Sequence, residues 1–315
     1  MKRLLNIDGG GIRIYFSLLI LKYIEEKTNR KIIDCFDYFA GVSASSIVLA
    51  GLLTRYSVDD MITTFKDIAK KIFYKSYYYS LTSGFGIFNS KYPDYYINEE
   101  FKKVFEDMKL SDVKKPLSIL TYDLETNKPV SFHSYTSCTG TSCTGTSCTG
   151  TSSTGTSNNN YKLWELVRSS TAAPTYFPPY VLDKYTLIDG GVVTNNLSEY
   201  IFINALEHFG KDEEYYQLSI GTGSYIRKFE NVPSGLWSWS GSIMDVLFSA
   251  TSNYEMSTLN KISHFEKLKK YDRVDIELIE PISLDDYTSF DKMDTIFNMW
   301  INIYHTDLDK ICSEL

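Results

Sequence analysis

No stretch of the 315-residue chain approaches the ~18 continuous apolar residues that a helix needs to cross a membrane. Basic charge is in short supply: 32 Lys and Arg against 39 Asp and Glu leave −7, the wrong sign for a protein whose main partner is nucleic acid or an anionic surface bound by charge alone. Cysteine is scarce and oddly placed, since three of the five (Cys138, Cys143 and Cys148) fall in a short repeat. That leaves no basis for a disulfide framework. The first residues, Met1-Lys2-Arg3-Leu4-Leu5-Asn6-Ile7-Asp8, begin basic, but Asn6 and Asp8 interrupt the apolar run a signal peptide needs. A cytoplasmic or membrane-peripheral location is therefore expected. Phosphate-binding loops are missing as well: the dinucleotide fingerprint G-x-G-x-x-G fails at Ile14, and no G-x-x-x-x-G-K-[S/T] occurs.

What the chain does have is the composition of a folded protein, 43% hydrophobic and 23% charged, and a run of strand and helix signals. Leu4–Ile7 reads as a strand ending at Gly9-Gly10-Gly11. Helical spacing of Ile12, Tyr15, Phe16, Leu19, Ile20, Tyr23 and Ile24 follows. A strand is predicted at Phe36–Phe39, a helix at Val58–Lys71, and strands at Pro116–Thr121 and Lys128–His133. Beyond a helix at Tyr161–Arg168, strands are predicted at Tyr185–Ile188, Tyr216–Ile220 and Arg273–Leu278. The aromatic-dense stretch Phe73–Tyr96 is read as rings filling a core, with a lipid-touching lid as the alternative. Residues 136–160 carry Ser-Cys-Thr-Gly-Thr repeats too small and polar to bury a core, and are read as a flexible surface insertion. Strands alternating with helices and ending in glycines predict an α/β protein with its site at one sheet edge.

The chemistry concentrates at three such ends. Gly41-Val42-Ser43-Ala44-Ser45 lies between a strand signal and the apolar run Ile47–Leu53, the setting of a sharp turn that exposes a serine hydroxyl. It departs from G-x-S-x-G because Ser45 occupies the place of the second glycine. Gly9-Gly10-Gly11 opens a helix, so its backbone N–H groups suit an anion, whether a phosphate or the oxyanion of an ester intermediate. Asp189, at the end of an apolar strand and before Gly190-Gly191, is placed to be desolvated and made more basic. A Ser43–Asp189–His305 triad fits in chain order but not in fold, because an α/β-hydrolase places its nucleophile after several strands.

Taken together, these residues resemble the patatin-like phospholipase family. Asp8-Gly9-Gly10-Gly11-Ile12-Arg13 is similar to its oxyanion loop, Gly41–Ser45 to its nucleophile turn and Ser170–Phe177 to its small-residue and proline segment. Asp189-Gly190-Gly191-Val192-Val193-Thr194-Asn195-Asn196 is similar to its Asp-Gly-Gly motif, and Ser219–Gly223 to a later strand end. The resemblance implies a three-layer α/β/α fold with a central, mostly parallel sheet. It also implies a catalytic domain over 1–280 and a C-terminal helical segment, 281–315, packed on the same domain. It further implies a Ser43–Asp189 dyad, an oxyanion hole from Gly9, Gly10 and Gly11 supported by Arg13, and no metal or cofactor. The implied reaction is hydrolysis of acyl esters in phospholipids or other lipids through an acyl-serine, at a transient membrane surface. Ser45 and Ile14 stand where the family usually has glycine, which leaves a catalytically impaired lipid-binding or interaction protein as the alternative.

Overall fold

The computed structural model describes residues 1–135, 155–156, 160–225, 234, 239, 243–262 and 267–315. The central strands are β1 (Lys2–Ile7), β2 (Tyr38–Val42), β3 (Leu117–Asp123) and β4 (Lys128–His133). With β5 (Gly155–Thr156), β6 (Tyr180–Leu182), β7 (Tyr185–Asp189), β8 (Tyr215–Ile220) and β9 (Leu268–Val274), they form one sheet. The order is β5-β4-β3-β2-β1-β8-β9, with β7 joined to β3 and β6 to β7. The β2–β3, β1–β2, β1–β8 and β8–β9 pairs are all parallel.

Strands buried on both faces read as near-continuous apolar runs, and β2 and β8 are buried at every residue. The two-residue period of a strand divides their side chains between two cores. Leu5, Ile7, Phe39, Leu218 and Ile220 enter one core, while Leu4, Tyr38, Ala40, Val42 and Tyr215 enter the other. The first is closed by α1 (Ile14–Thr28), α3 (Ala44–Leu52), α4 (Val58–Ile72), α6 (Asp94–Phe105), α7 (Leu163–Ser170) and α10 (Phe290–Glu314). The second is closed by α8 (Ser198–Phe209) and by Leu259 of α9 (Ile243–Ile262). The result is the expected three-layer α/β/α arrangement around a mostly parallel sheet. No helix among the described residues is long and apolar enough to cross a membrane.

Several boundaries differ from the sequence reading for local reasons. Ile32–Cys35 forms a short helix, α2, and the Asp37 carboxylate accepts the Arg3 N–H at 2.9 Å, so the second strand starts at Tyr38 rather than Phe36. The strand expected at Arg273–Leu278 lies at Leu268–Val274, because the ladder to β8 ends at Ile220↔Val274 and the later residues continue the pairing through a single isolated bridge, Ser224↔Glu277. Within Phe73–Tyr96 the core reading holds for Tyr92, which is buried, but Tyr77, Tyr78 and Phe88 face solvent in and just after the short helix α5 (Tyr77–Thr82), and Tyr95 does so in the first turn of α6. Helix α10 lies along α1, where Tyr15 and Tyr23 donate to Asp294 and Asp309 at 2.6 and 2.7 Å. Apart from Gly155 and Thr156, which pair with β4, the Ser-Cys-Thr-Gly-Thr repeat lies outside the described residues.

Candidate active site

The register of β3 brings the serine and the aspartate together. Along one edge β3 pairs with β2 as far as Leu120↔Val42, and then with β7 from Thr121↔Asp189 onward. Strand β2 runs parallel to β3 and β7 antiparallel, so their ends meet on that edge, and Ser43 follows directly on Val42. A Cβ on Gly190 would collide with the Leu120 carbonyl, so the turn after Asp189 can lie against β3 only as glycine. Ser43 Oγ donates to Asp189 Oδ2 at 2.6 Å.

Ser43 sits at φ 56°, ψ −133°, a conformation that costs a non-glycine residue about 1–3 kcal/mol and that persists only where its surroundings impose it. Here they do. The Ser43 N–H donates to Ser170 Oγ at 2.9 Å, and Ser170 Oγ donates to the Leu120 carbonyl at 2.8 Å. The Ser43 carbonyl accepts from the N–H and hydroxyl of Ser46 at 3.0 and 2.6 Å. Ser45, fully buried, turns its hydroxyl back onto the strand end, accepting from Val42 N–H and donating to Val42 C=O, both at 2.8 Å. The side chain that replaces the second glycine thus pairs with Val42 and makes no hydrogen bond to Ser43.

Asp189 is 1% exposed. Burial pushes its carboxyl from an ordinary 3.8 up to about 7, against the opposing pull of the Ser43 hydroxyl and of the Gly191 N–H, which donates to Oδ1 at 2.7 Å. None of the described histidines touches either residue. His133 is buried against Ser118 and Ser131, where burial lowers it to about 4. His208 packs on Tyr135, and His305 is exposed on α10 with Thr306 as its neighbour. His264 lies outside the described residues.

The glycine loop packs directly against the serine: a Cβ on Gly9 would fall 3.0 Å from Ser43 Cβ. Its three amides are not equivalent. Gly9 N–H donates to the Asn195 carbonyl at 3.1 Å, and Gly9 C=O accepts from Asn195 Nδ2 and Thr222 Oγ1 at 2.6 and 3.0 Å. The N–H groups of Gly10 and Gly11 have no acceptor among the described residues, and both residues line the pocket that holds Ser43 and Asp189. Arg13 reaches the carbonyls of Gly10 and Gly223 at 3.5 and 3.4 Å, bridging two glycine-rich strand ends. The Leu284 carbonyl takes the Ile12 N–H at 2.9 Å, so a residue beyond position 280 also braces the loop. At the loop's root, buried Asp8 holds Arg273 through two bonds of 2.8 and 2.6 Å. Burial raises the Asp8 carboxyl to about 6 even against that guanidinium.

The pocket encloses about 60 Å³, and its remaining walls include Ala44, Ile47, Phe65, Ile72, Phe73, Ile97, Phe101, Tyr176 and Phe177. Such walls suit a hydrocarbon chain, with the polar groups gathered at one end. Sequence reasoning missed the supports: Ser170 was visible only as part of a small-residue motif, and nothing in the sequence pointed to Arg273.

A family model described as patatin-like phospholipase matches residues 5–201. The chain belongs to the patatin-like phospholipase family. Among curated relatives, Patatin-like protein 4 of Arabidopsis thaliana is 26% identical, over 90% of this chain and 78% of its own length. Calcium-independent phospholipase A2-gamma of Mus musculus is 25% identical over 81% of the chain, which spans about a third (32%) of that longer protein. Probable inactive patatin-3-Kuras 1 of Solanum tuberosum is 24% identical over 82% of the chain and 75% of its own length. Membership in the patatin-like family supports lipid acyl hydrolysis as the general activity.

Proposed function

We propose that the chain hydrolyses acyl esters of phospholipids or related lipids through a Ser43–Asp189 dyad. The observation that carries this reading is the 2.6 Å bond from Ser43 Oγ to a buried carboxylate whose basicity is raised to about 7. Ser43 Oγ attacks the ester carbonyl carbon while Asp189 takes the hydroxyl proton. The carbonyl oxygen becomes an oxyanion, held by the N–H groups of Gly10 and Gly11. As the intermediate collapses, the C–O bond to the alcohol breaks, and that alcohol takes the proton from Asp189. Water then attacks the acyl-serine with Asp189 again as base, releasing the fatty acid and restoring Ser43. Each oxyanion donor of this kind contributes ~10²–10³ in rate. The apolar walls from Ile47 to Phe177 receive the acyl chain.

The alternative, a catalytically impaired lipid-binding protein, draws on Ser45 and on the relative named as probably inactive. The Ser45 hydroxyl, spent on Val42, weighs against it, as does Ile14, whose side chain is buried in the first turn of α1. Labelling with a serine-reactive fluorophosphonate, followed by assay on a lipid panel, separates the two. Stoichiometric labelling of the wild type and none of Ser43→Ala is expected, with lipid turnover lost in the variant. An unlabelled wild type, or an active Ser43→Ala protein, would refute the dyad.

A further inference from the structure

Helix α5 is built inside out. Tyr77 and Tyr78 stand four and three residues before Leu81, the spacing of one helix face, which when apolar ordinarily faces a core. Here it faces water: Tyr77 and Tyr78 are 76% and 75% exposed. The buried side is made instead of Ser80 and Ser83, whose hydroxyls bond back to the Ser76 and Ser80 carbonyls at 3.1 and 3.2 Å. The following turn continues the surface with Ile87 and Phe88, the latter 86% exposed. Leaving so many large side chains in water is costly, and a contiguous exposed patch of this kind marks an interaction site.

Two observations identify what covers it. Residues 68–93 contain no Asp or Glu but include Lys70, Lys71, Lys75 and Lys91, a local surplus of cations in a chain of net charge −7. Lys71 and Lys91 face Glu100 and Asp285, which leaves Lys70 and Lys75 without a carboxylate partner among the described residues. Tyrosine rings bordered by lysines suit the zone where hydrocarbon meets headgroups. The segment that carries the patch is tied to the pocket at both ends: Phe73 lines the pocket wall, and the N–H groups of Lys91 and Tyr92 donate to the carbonyls of Thr175 and Tyr176 at 2.8 and 2.9 Å, with Tyr176 also in that wall.

We infer that the exposed face of Tyr77, Tyr78, Leu81, Ile87 and Phe88 is a membrane-docking surface, flanked by Lys70 and Lys75, that sets the pocket against a lipid bilayer. The choice of partner rests on the acyl-hydrolase reading, but binding can be measured without catalysis. Full-length Ser43→Ala protein is co-sedimented with vesicles of phosphatidylcholine, alone or mixed with phosphatidylglycerol. Binding to both is expected, with phosphatidylglycerol adding about fivefold per unpaired lysine. Ile87→Ser/Phe88→Ser should weaken binding about tenfold or more, and Lys75→Glu should reduce the anionic preference. In the otherwise wild-type protein, Ile87→Ser/Phe88→Ser should keep turnover of a water-soluble short-chain ester and lose turnover of vesicle lipid. A wild type that binds neither vesicle, or a double variant that binds as well as its parent, overturns the inference. So does a dimer in sedimentation that the double variant converts to monomer, because the face would then be a contact between two copies. Dead enzyme with intact vesicle binding would sink the hydrolase reading and leave the surface standing.

Discussion

Asp189→Asn tests the electrostatics of the site directly. The amide is isosteric: its carbonyl can still accept the Gly191 N–H, and its NH₂ can donate to Ser43 Oγ, so both hydrogen bonds keep a partner. What changes is the charge. A carboxyl raised from 3.8 to about 7 by folding favours the protonated native state, and at ~1.36 kcal/mol per unit the ionised form costs about 4 kcal/mol. The stabilisation is present in full below pH ~4, falls as pH rises through the interval to about 7, and is gone above it. Relative to the wild type, Asp189→Asn should therefore gain stability with pH, from near parity at pH 4 to about 4 kcal/mol at pH 8. For 315 residues, at ~2.1 cal/mol/K each, this is a Tm difference of about 6 °C. Scanning calorimetry of both proteins from pH 4 to 8 reads it, while ester hydrolysis should be absent from the variant throughout. Wild-type kcat/KM should fall about tenfold per unit below pH ~7 and level off above it. A Tm gap independent of pH, or a rate flat down to pH 5, would show that Asp189 is neither strained by its charge nor the base.

Ser45→Ala removes the two buried bonds between its hydroxyl and the Val42 N–H and C=O, so a loss of about 1–3 kcal/mol in urea unfolding is expected. Activity should fall with it, since Val42 is the residue on which Ser43 turns; unchanged stability would mean that the two bonds contribute nothing. Ser170→Ala frees the Ser43 N–H and should lower kcat more than it raises KM, and an equal effect on both would place Ser170 in substrate binding instead. His305→Ala, on the exposed face of α10, should leave hydrolysis within experimental error of wild type; a dead variant would return the mechanism to a triad.

The parts of the site legible in the sequence were those with local signals. Ser43 and Asp189 announce themselves because a strand ending in small residues is a short-range pattern, and the paired cores follow from the two-residue period of β1, β2 and β8. The supports are different in kind. Ser45 could be read as a crowding side chain or as a brace, and only the direction of its hydroxyl, toward Val42, decides. Arg273 meets Asp8 across 265 positions, a pairing that no spacing rule reports. For Phe73–Tyr96 the density of aromatics was legible, but density does not say on which side the core lies. The usual assumption that rings point inward fails at α5 because Ser80 and Ser83 take the inner face.

The meeting of β2 and β7 on one edge of β3 has a consequence for the length of the chain between them. Ser43 and Asp189 are located by hydrogen-bond ladders to Leu120 and Thr121, not by the path the polypeptide takes from one to the other. The stretch of sequence between β4 and α7 takes no part in either of those two ladders. The distance between nucleophile and base is thus set by registers that the five-residue units do not enter. A change in the number of Ser-Cys-Thr-Gly-Thr units would alter the path from serine to aspartate and leave those registers as they are.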